Sequence, residues 1–151
     1  MPEGHFLAYE IGPEAISLKL NIRTVLSFLL LSVAPFCATA NIMLANNTCD
    51  LEKDVAVRRY TLPYYLGKKN SLRFFAGLYY IIYVSIVVMV IARILSPLSL
   101  LILLTLIPVQ KNIRTFLAKQ DKADTFLTAI RNFIIIMGAH TILIFFGRLL
   151  P

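Results

Sequence analysis

Charge is scarce in this chain. Only 15% of its 151 residues are Asp, Glu, Lys or Arg, against 58% hydrophobic residues, and the mean hydropathy is +0.75. That scarcity excludes an ordinary water-soluble domain, whose charged share is about 25%. Cysteine is scarcer still. Cys37 and Cys49 form no C-x-x-C and stand beside no Cys/His cluster of metal-ligand spacing, which excludes a zinc or redox motif and leaves two packing thiols instead of a disulfide. Acids number 8 against 15 cations, for a net charge of +7, but no basic stripe suited to a phosphate backbone is present. In so apolar a chain the surplus reports membrane topology.

What the chain has in quantity is apolar runs. They predict spans near 22–44, 74–95, 96–109 and 128–147, and hence an all-α integral membrane protein of about four transmembrane helices. The third run is short. Arg93 and Pro97 precede it and Pro108 interrupts its end, so it either borrows residues from its flanks or forms a broken helix among its neighbours. With all four crossing, Lys53, Arg58, Arg59, Lys68, Lys69 and Arg73 fall on the same side as Lys111, Arg114, Lys119, Lys122 and Arg131. Eleven of the fifteen cations are then cytoplasmic. Residues 1–21, with Glu3, Glu10 and Glu14, and the C-terminal Leu-Leu-Pro would face outward, while 45–73 would be a cytoplasmic segment of the membrane domain 22–151. A cleaved signal peptide ending at Ala38-Thr39-Ala40 is the rival for the first run. Three acids before the apolar core, and the continuation of that core to Leu44, disfavour it.

Segment 45–73 carries the chemistry. If the first helix continues past Leu44, Asn46, Asp50 and Asp54 stand at i, i+4 and i+8 on one face. Two stacked carboxylates at the negative end of a helix are unfavourable by roughly 0.3 to 1 kcal/mol each, and a bound cation would relieve them. Oxygen donors in small number at a membrane surface suit Mg²⁺, which shares its shell with substrate phosphates. Arg58, Arg59, Lys68 and Lys69 follow directly and could hold outer phosphate oxygens. The other reading is that Asp50, Glu52 and Asp54 are solvated loop acids. Pro63 and Gly67 break the helical pattern, and Leu62, Tyr64, Tyr65 and Leu66 read either as a cap tucked over the site or as an aromatic belt.

The order Asn46-Asn47-x-x-Asp50-x-x-x-Asp54, then Arg59, Thr61-Leu62 and Leu66-Gly67, resembles the second aspartate motif of the UbiA superfamily of membrane prenyltransferases. It looks most like the branch that prenylates 1,4-dihydroxy-2-naphthoate on the route to menaquinone. The resemblance implies transfer of a polyprenyl group from a polyprenyl diphosphate to an aromatic acceptor, with Mg²⁺ as cofactor, at the cell membrane. Asp50 and Asp54 would then hold metal, Asn46 and Asn47 would orient or complete that shell, and Arg59 would contact diphosphate, with Lys53, Arg58 and Lys68 as further candidates. Arg58 stands where the family often has a small residue. The family's first motif, N-D-x-x-D-x-x-x-D, has no counterpart here, so the chain resembles the C-terminal half of a UbiA-type bundle and is expected to be inactive without an N-terminal half. The competing class is a non-catalytic small multi-pass membrane protein, a transporter or complex subunit with a solvated charged loop.

Other polar residues read more plainly. Asp121 and Asp124 read as a solvated loop, and His140 reads as a hydrogen-bonded packing residue. Asn41 either faces the site or bonds across helices. Phe74, Phe75, Tyr79, Tyr80 and Tyr83 line an isoprenoid channel or face lipid.

Overall fold

The computed structural model describes residues 7–11 and 16–149. It begins with an antiparallel hairpin, β1 (Leu7–Ile11) and β2 (Ile16–Leu20), in which Leu7 pairs with Leu20 and Ile11 with Ile16. No strand was expected within 1–21. The polar-apolar alternation of Ile-Ser-Leu-Lys-Leu is a strand pattern too short to stand out beside the long apolar runs. The segment's Glu3 and Glu14, like the terminal Leu150 and Pro151, lie outside the described residues.

Beyond the hairpin the chain is helical: α1 (Ile22–Cys49), α2 (Leu51–Ala56), α3 (Leu62–Leu66), α4 (Lys68–Ile91), a 3₁₀ helix (Pro97–Thr105), α5 (Leu106–Ala118) and α6 (Leu127–Leu149). Four helical stretches are long and apolar enough to cross a membrane, namely α1, α4, the 3₁₀ helix with α5, and α6. The architecture is that of an all-α membrane protein. Helices overrun the apolar runs because winding does not stop where hydropathy does. Thus α4 starts at Lys68, and its first turns carry Lys69 and Arg73 beyond the greasy part. Asn21 starts α1 by accepting the Thr24 N–H at 3.2 Å.

The third span is wound in two ways. Pro108 lies in the first turn of α5, where a missing N–H is tolerated, and the nine residues before α5 are 3₁₀. The span also extends past Val109 to Ala118, borrowing its polar end from downstream.

Small residues bring the helices together. Ala34, Ala38, Asn41 and Ala45 are completely buried at helical spacing on α1, a stripe that lets α4 approach closely. Asn41 bonds across helices, its Nδ2 donating to the Phe75 carbonyl at 3.1 Å. Phe75 and Tyr79 of α4 are fully buried, and the Phe75 ring meets Phe116 of α5 at 4.5 Å. Asn112 Nδ2 donates to Asn132 Oδ1 at 2.7 Å and ties α5 to α6. Tyr83 reaches Thr105 at 2.8 Å and Tyr80 donates to Gln110 at 2.7 Å, so α4 is tied to the third span as well. Of the five aromatic residues of α4, three are therefore core and two, Phe74 and Tyr80, are exposed. His140 is buried as a packing residue, and among the described residues its Nδ1 has no hydrogen-bond partner. Large apolar side chains elsewhere, Phe36, Ile91 and Ile107 among them, point outward, as lipid-facing residues do.

Two glycines are needed where they stand. A Cβ on Gly147 would come within 2.9 Å of Ser96 Cβ, so α6 passes against the start of the 3₁₀ helix only because that Cβ is missing. Gly67 has φ 75° and ψ 151° at the junction of α3 and α4, with open space around it. Gly67→Ala is therefore expected to destabilise through backbone strain alone, by about 1–3 kcal/mol. Reversible unfolding in detergent measures this, and an unchanged midpoint would refute it.

Candidate active site

Segment 45–73 and the loop 119–126 meet at one end of the bundle. The first helix does continue past Leu44. The Asp50 N–H donates to Asn46 O at 3.1 Å and the Asp54 N–H to Asp50 O at 2.8 Å, so helical phase persists through the irregular residue Asp50 between α1 and α2. Asn46, Asp50 and Asp54 thus follow one another at single-turn intervals.

Their partners differ. The Lys122 ammonium donates to Asn46 Oδ1 and, at 2.5 Å, to Asp50 Oδ2, and it lies 5.2 Å from the centre of the Phe126 ring. Asp54 is 7% exposed and faces Arg59, whose guanidinium approaches its carboxylate at 3.8 Å. The structure therefore makes two pairings of the aspartates, one with each basic partner. Asn47 is half-buried, and among the described residues its side chain makes no hydrogen bond. Lys53, Arg58 and Lys68 are exposed and form no ion pair among the described residues. Lys68 lines a hollow of about 120 Å³ beside the site, with Thr48, Cys49, Glu52 and Gln120.

Arg58 has a backbone reason to be noticed. Its φ is +59°, the Arg58 N–H donates to Val55 O at 3.0 Å, and the Arg59 N–H donates to Asp54 O at 2.8 Å. These are the two bonds of a Schellman turn ending α2, with Arg58 at the left-handed position that glycine fills best. A small residue is the natural occupant there, and the same turn brings Arg59 back against Asp54. Arg93 ends α4 in the same way, with φ +55°.

The aromatic stretch does not close over the aspartates. Pro63 is the buried residue of α3, whereas Tyr64 and Tyr65 are 47% and 72% exposed, and Tyr60 and Tyr64 stack outward at 4.7 Å. Thr61 Oγ1 is buried and has no hydrogen-bond partner among the described residues.

Lys122 is the partner of Asn46 and Asp50 that sequence reasoning missed. The loop around it is more ordered than a solvated loop: the Asp121 carboxylate accepts the Ala123 and Asp124 N–H groups at 2.9 and 3.0 Å, and Lys119 pairs with Asp124 at 2.9 Å. Only the shared sidedness of the two basic segments could have suggested that a loop lysine meets a distant aspartate.

Two oxygens turned toward one cation fit a divalent ion that takes few protein ligands. A denser site is not formed, since among the described residues no three His, Cys, Asp or Glu side chains gather.

Residues 6–138 match the UbiA prenyltransferase family. The chain belongs to that family. Its members transfer prenyl groups to aromatic acceptors, and this UbiA chain is accordingly a multi-pass membrane protein of the prenyltransferase class. No curated protein and no solved structure matches it.

Two outcomes are expected from this geometry. Arg58→Gly should stabilise the turn by about 0.5–1 kcal/mol, read as a higher unfolding midpoint; a loss of stability would show that the arginine side chain, not the backbone, matters there. The Asp124 and Ala123 N–H groups hold the Asp121 carboxyl below the usual carboxylate range. With a depressed folded value, this stabilisation is complete above the ordinary carboxylate value and is lost as pH falls through the lowered one. The amide proton shifts of Ala123 and Asp124 should therefore titrate below the ordinary aspartate range, and a midpoint at or above it would contradict the capping role.

Proposed function

We propose that this chain supplies one of the two aspartate-motif sites of a polyprenyl transferase acting on an aromatic acceptor, with 1,4-dihydroxy-2-naphthoate the favoured acceptor and menaquinone formation the favoured route. The observation that carries the reading is the convergence of Asn46 and Asp50 on a single cation at the basic end of a UbiA-family bundle. Asp50 with Asn46 would hold Mg²⁺, with Asp54 one turn further on and Asn47 directly after Asn46. When bound, the ion supplies positive charge to the oxygens of the departing diphosphate.

The chain's own residues supply the rest. Arg59, with Lys53, Arg58 and Lys68 exposed in the same segment, would neutralise the leaving diphosphate through guanidinium and ammonium groups. The bond between prenyl C1 and oxygen breaks with its electron pair going to diphosphate. An electron-rich ring carbon then bonds to C1 and loses a proton, or CO₂ where that carbon carries the carboxylate, the released electron pair restoring the aromatic ring. The apolar helices exclude water that would otherwise capture the allylic cation. The positive-inside distribution of the eleven cations around 45–73 and 111–131 supports a cytoplasmic position for this end at the cell membrane.

Diphosphate ionisation in this family's manner calls for a second acidic motif, so the reading includes a partner segment carrying N-D-x-x-D-x-x-x-D. Joined to such a segment, the chain is expected to transfer a prenyl group only with Mg²⁺ present, and Asp50→Ala or Asp54→Ala to lower turnover by at least about 10²-fold. The 151-residue chain alone is expected to give no product. Radiolabelled prenyl transfer measures both, and undiminished turnover by the two aspartate variants would refute the assignment.

A further inference from the structure

Lys122 lies 76 residues from Asn46 and 72 from Asp50 in sequence, and its ammonium stands between their side-chain oxygens. The loop directs it there. Asp121 is occupied with the backbone N–H groups of Ala123 and Asp124, and Asp124 with Lys119, so the loop's own acids are engaged elsewhere. The Phe126 ring flanks the ammonium at 5.2 Å. The pair stays open to solvent, with the Lys122 side chain 43% exposed and that of Asp50 23%.

An ammonium and a divalent ion cannot share these two oxygens. The ammonium carries one charge and donates hydrogen bonds; the metal carries two and takes lone pairs directly. We propose that Lys122 is a positioning residue of this site, a tethered resident cation that holds Asn46 and Asp50 together and exchanges with the divalent metal. The proposal rests on the reading that Asn46 and Asp50 bind metal. It adds that the affinity of the site is set by competition with a side chain from the far end of the sequence, and that loop 119–126 must release its grip before the metal is held.

The test uses the 151-residue chain in nanodiscs, with Mn²⁺ as the probe and its binding followed by electron paramagnetic resonance. Removing the charge with Lys122→Met, or with Lys122→Gln, which keeps a hydrogen bond to Asp50, should tighten Mn²⁺ binding roughly threefold to tenfold, as expected for loss of a partly exposed ion pair. Lys122→Arg should keep the wild-type affinity. Mn²⁺ should also raise the unfolding midpoint of the two neutral variants by more than that of the wild type. Binding that Asp50→Asn abolishes but that is unchanged or weaker in the neutral variants would overturn the exchange role and leave the metal site standing. Absence of Asp50-dependent binding in every variant would overturn both.

Discussion

Asp50 sits where the carbonyl end of a membrane-crossing helix already carries partial negative charge, and the arrangement of this end of the bundle follows from how that charge is met. A nearby lysine could have met it locally. Instead the cation comes from Lys122, in the loop between the third and fourth spans, so one ion pair ties the end of α1 to the approach of α6. That contact complements the buried polar bonds deeper in the bundle, Asn41 to Phe75 and Asn112 to Asn132. Where lipid offers no driving force for helix association, such bonds and small-residue contacts specify which helices lie together.

The two aspartates of the motif are met by cations of different origin. Asp54 is buried, and the turn that ends α2 brings the Arg59 backbone beside it, while the Arg59 side chain stays 65% exposed and approaches the carboxylate at 3.8 Å. Asp50 is more open, and its partner is the end of a long side chain from another loop, hydrogen-bonded to it at 2.5 Å. Asp54 therefore answers to its own turn, and Asn46 with Asp50 to a segment 72 residues or more away.

Much of the membrane fold was legible because hydropathy reports it directly: four runs become four spanning helical stretches. The helical phase of Asn46, Asp50 and Asp54 was also legible, since local hydrogen bonds carry it. The identity of Lys122 was not, because a pairing across 72 residues leaves no local pattern. Nor was the left-handed conformation of Arg58, which sequence reading took for a diphosphate contact alone; only the two turn bonds disclose it. The hairpin before α1 was missed because two five-residue strands carry a weak signal. The tyrosines of α3 are exposed, so that stretch does not cover the aspartates within this chain.

The mixed winding of the third span has a consequence for reach. A 3₁₀ helix rises about 2.0 Å per residue against about 1.5 Å for an α-helix. From Pro97 to Lys111 the chain therefore climbs roughly 27 Å, where uniform α-winding would climb roughly 22 Å. Against a hydrocarbon layer of about 30 Å, those few ångströms bring the first cation of α5 that much nearer to the headgroups. Tighter coiling lengthens a short apolar run, as stretching a spring makes up for missing coils.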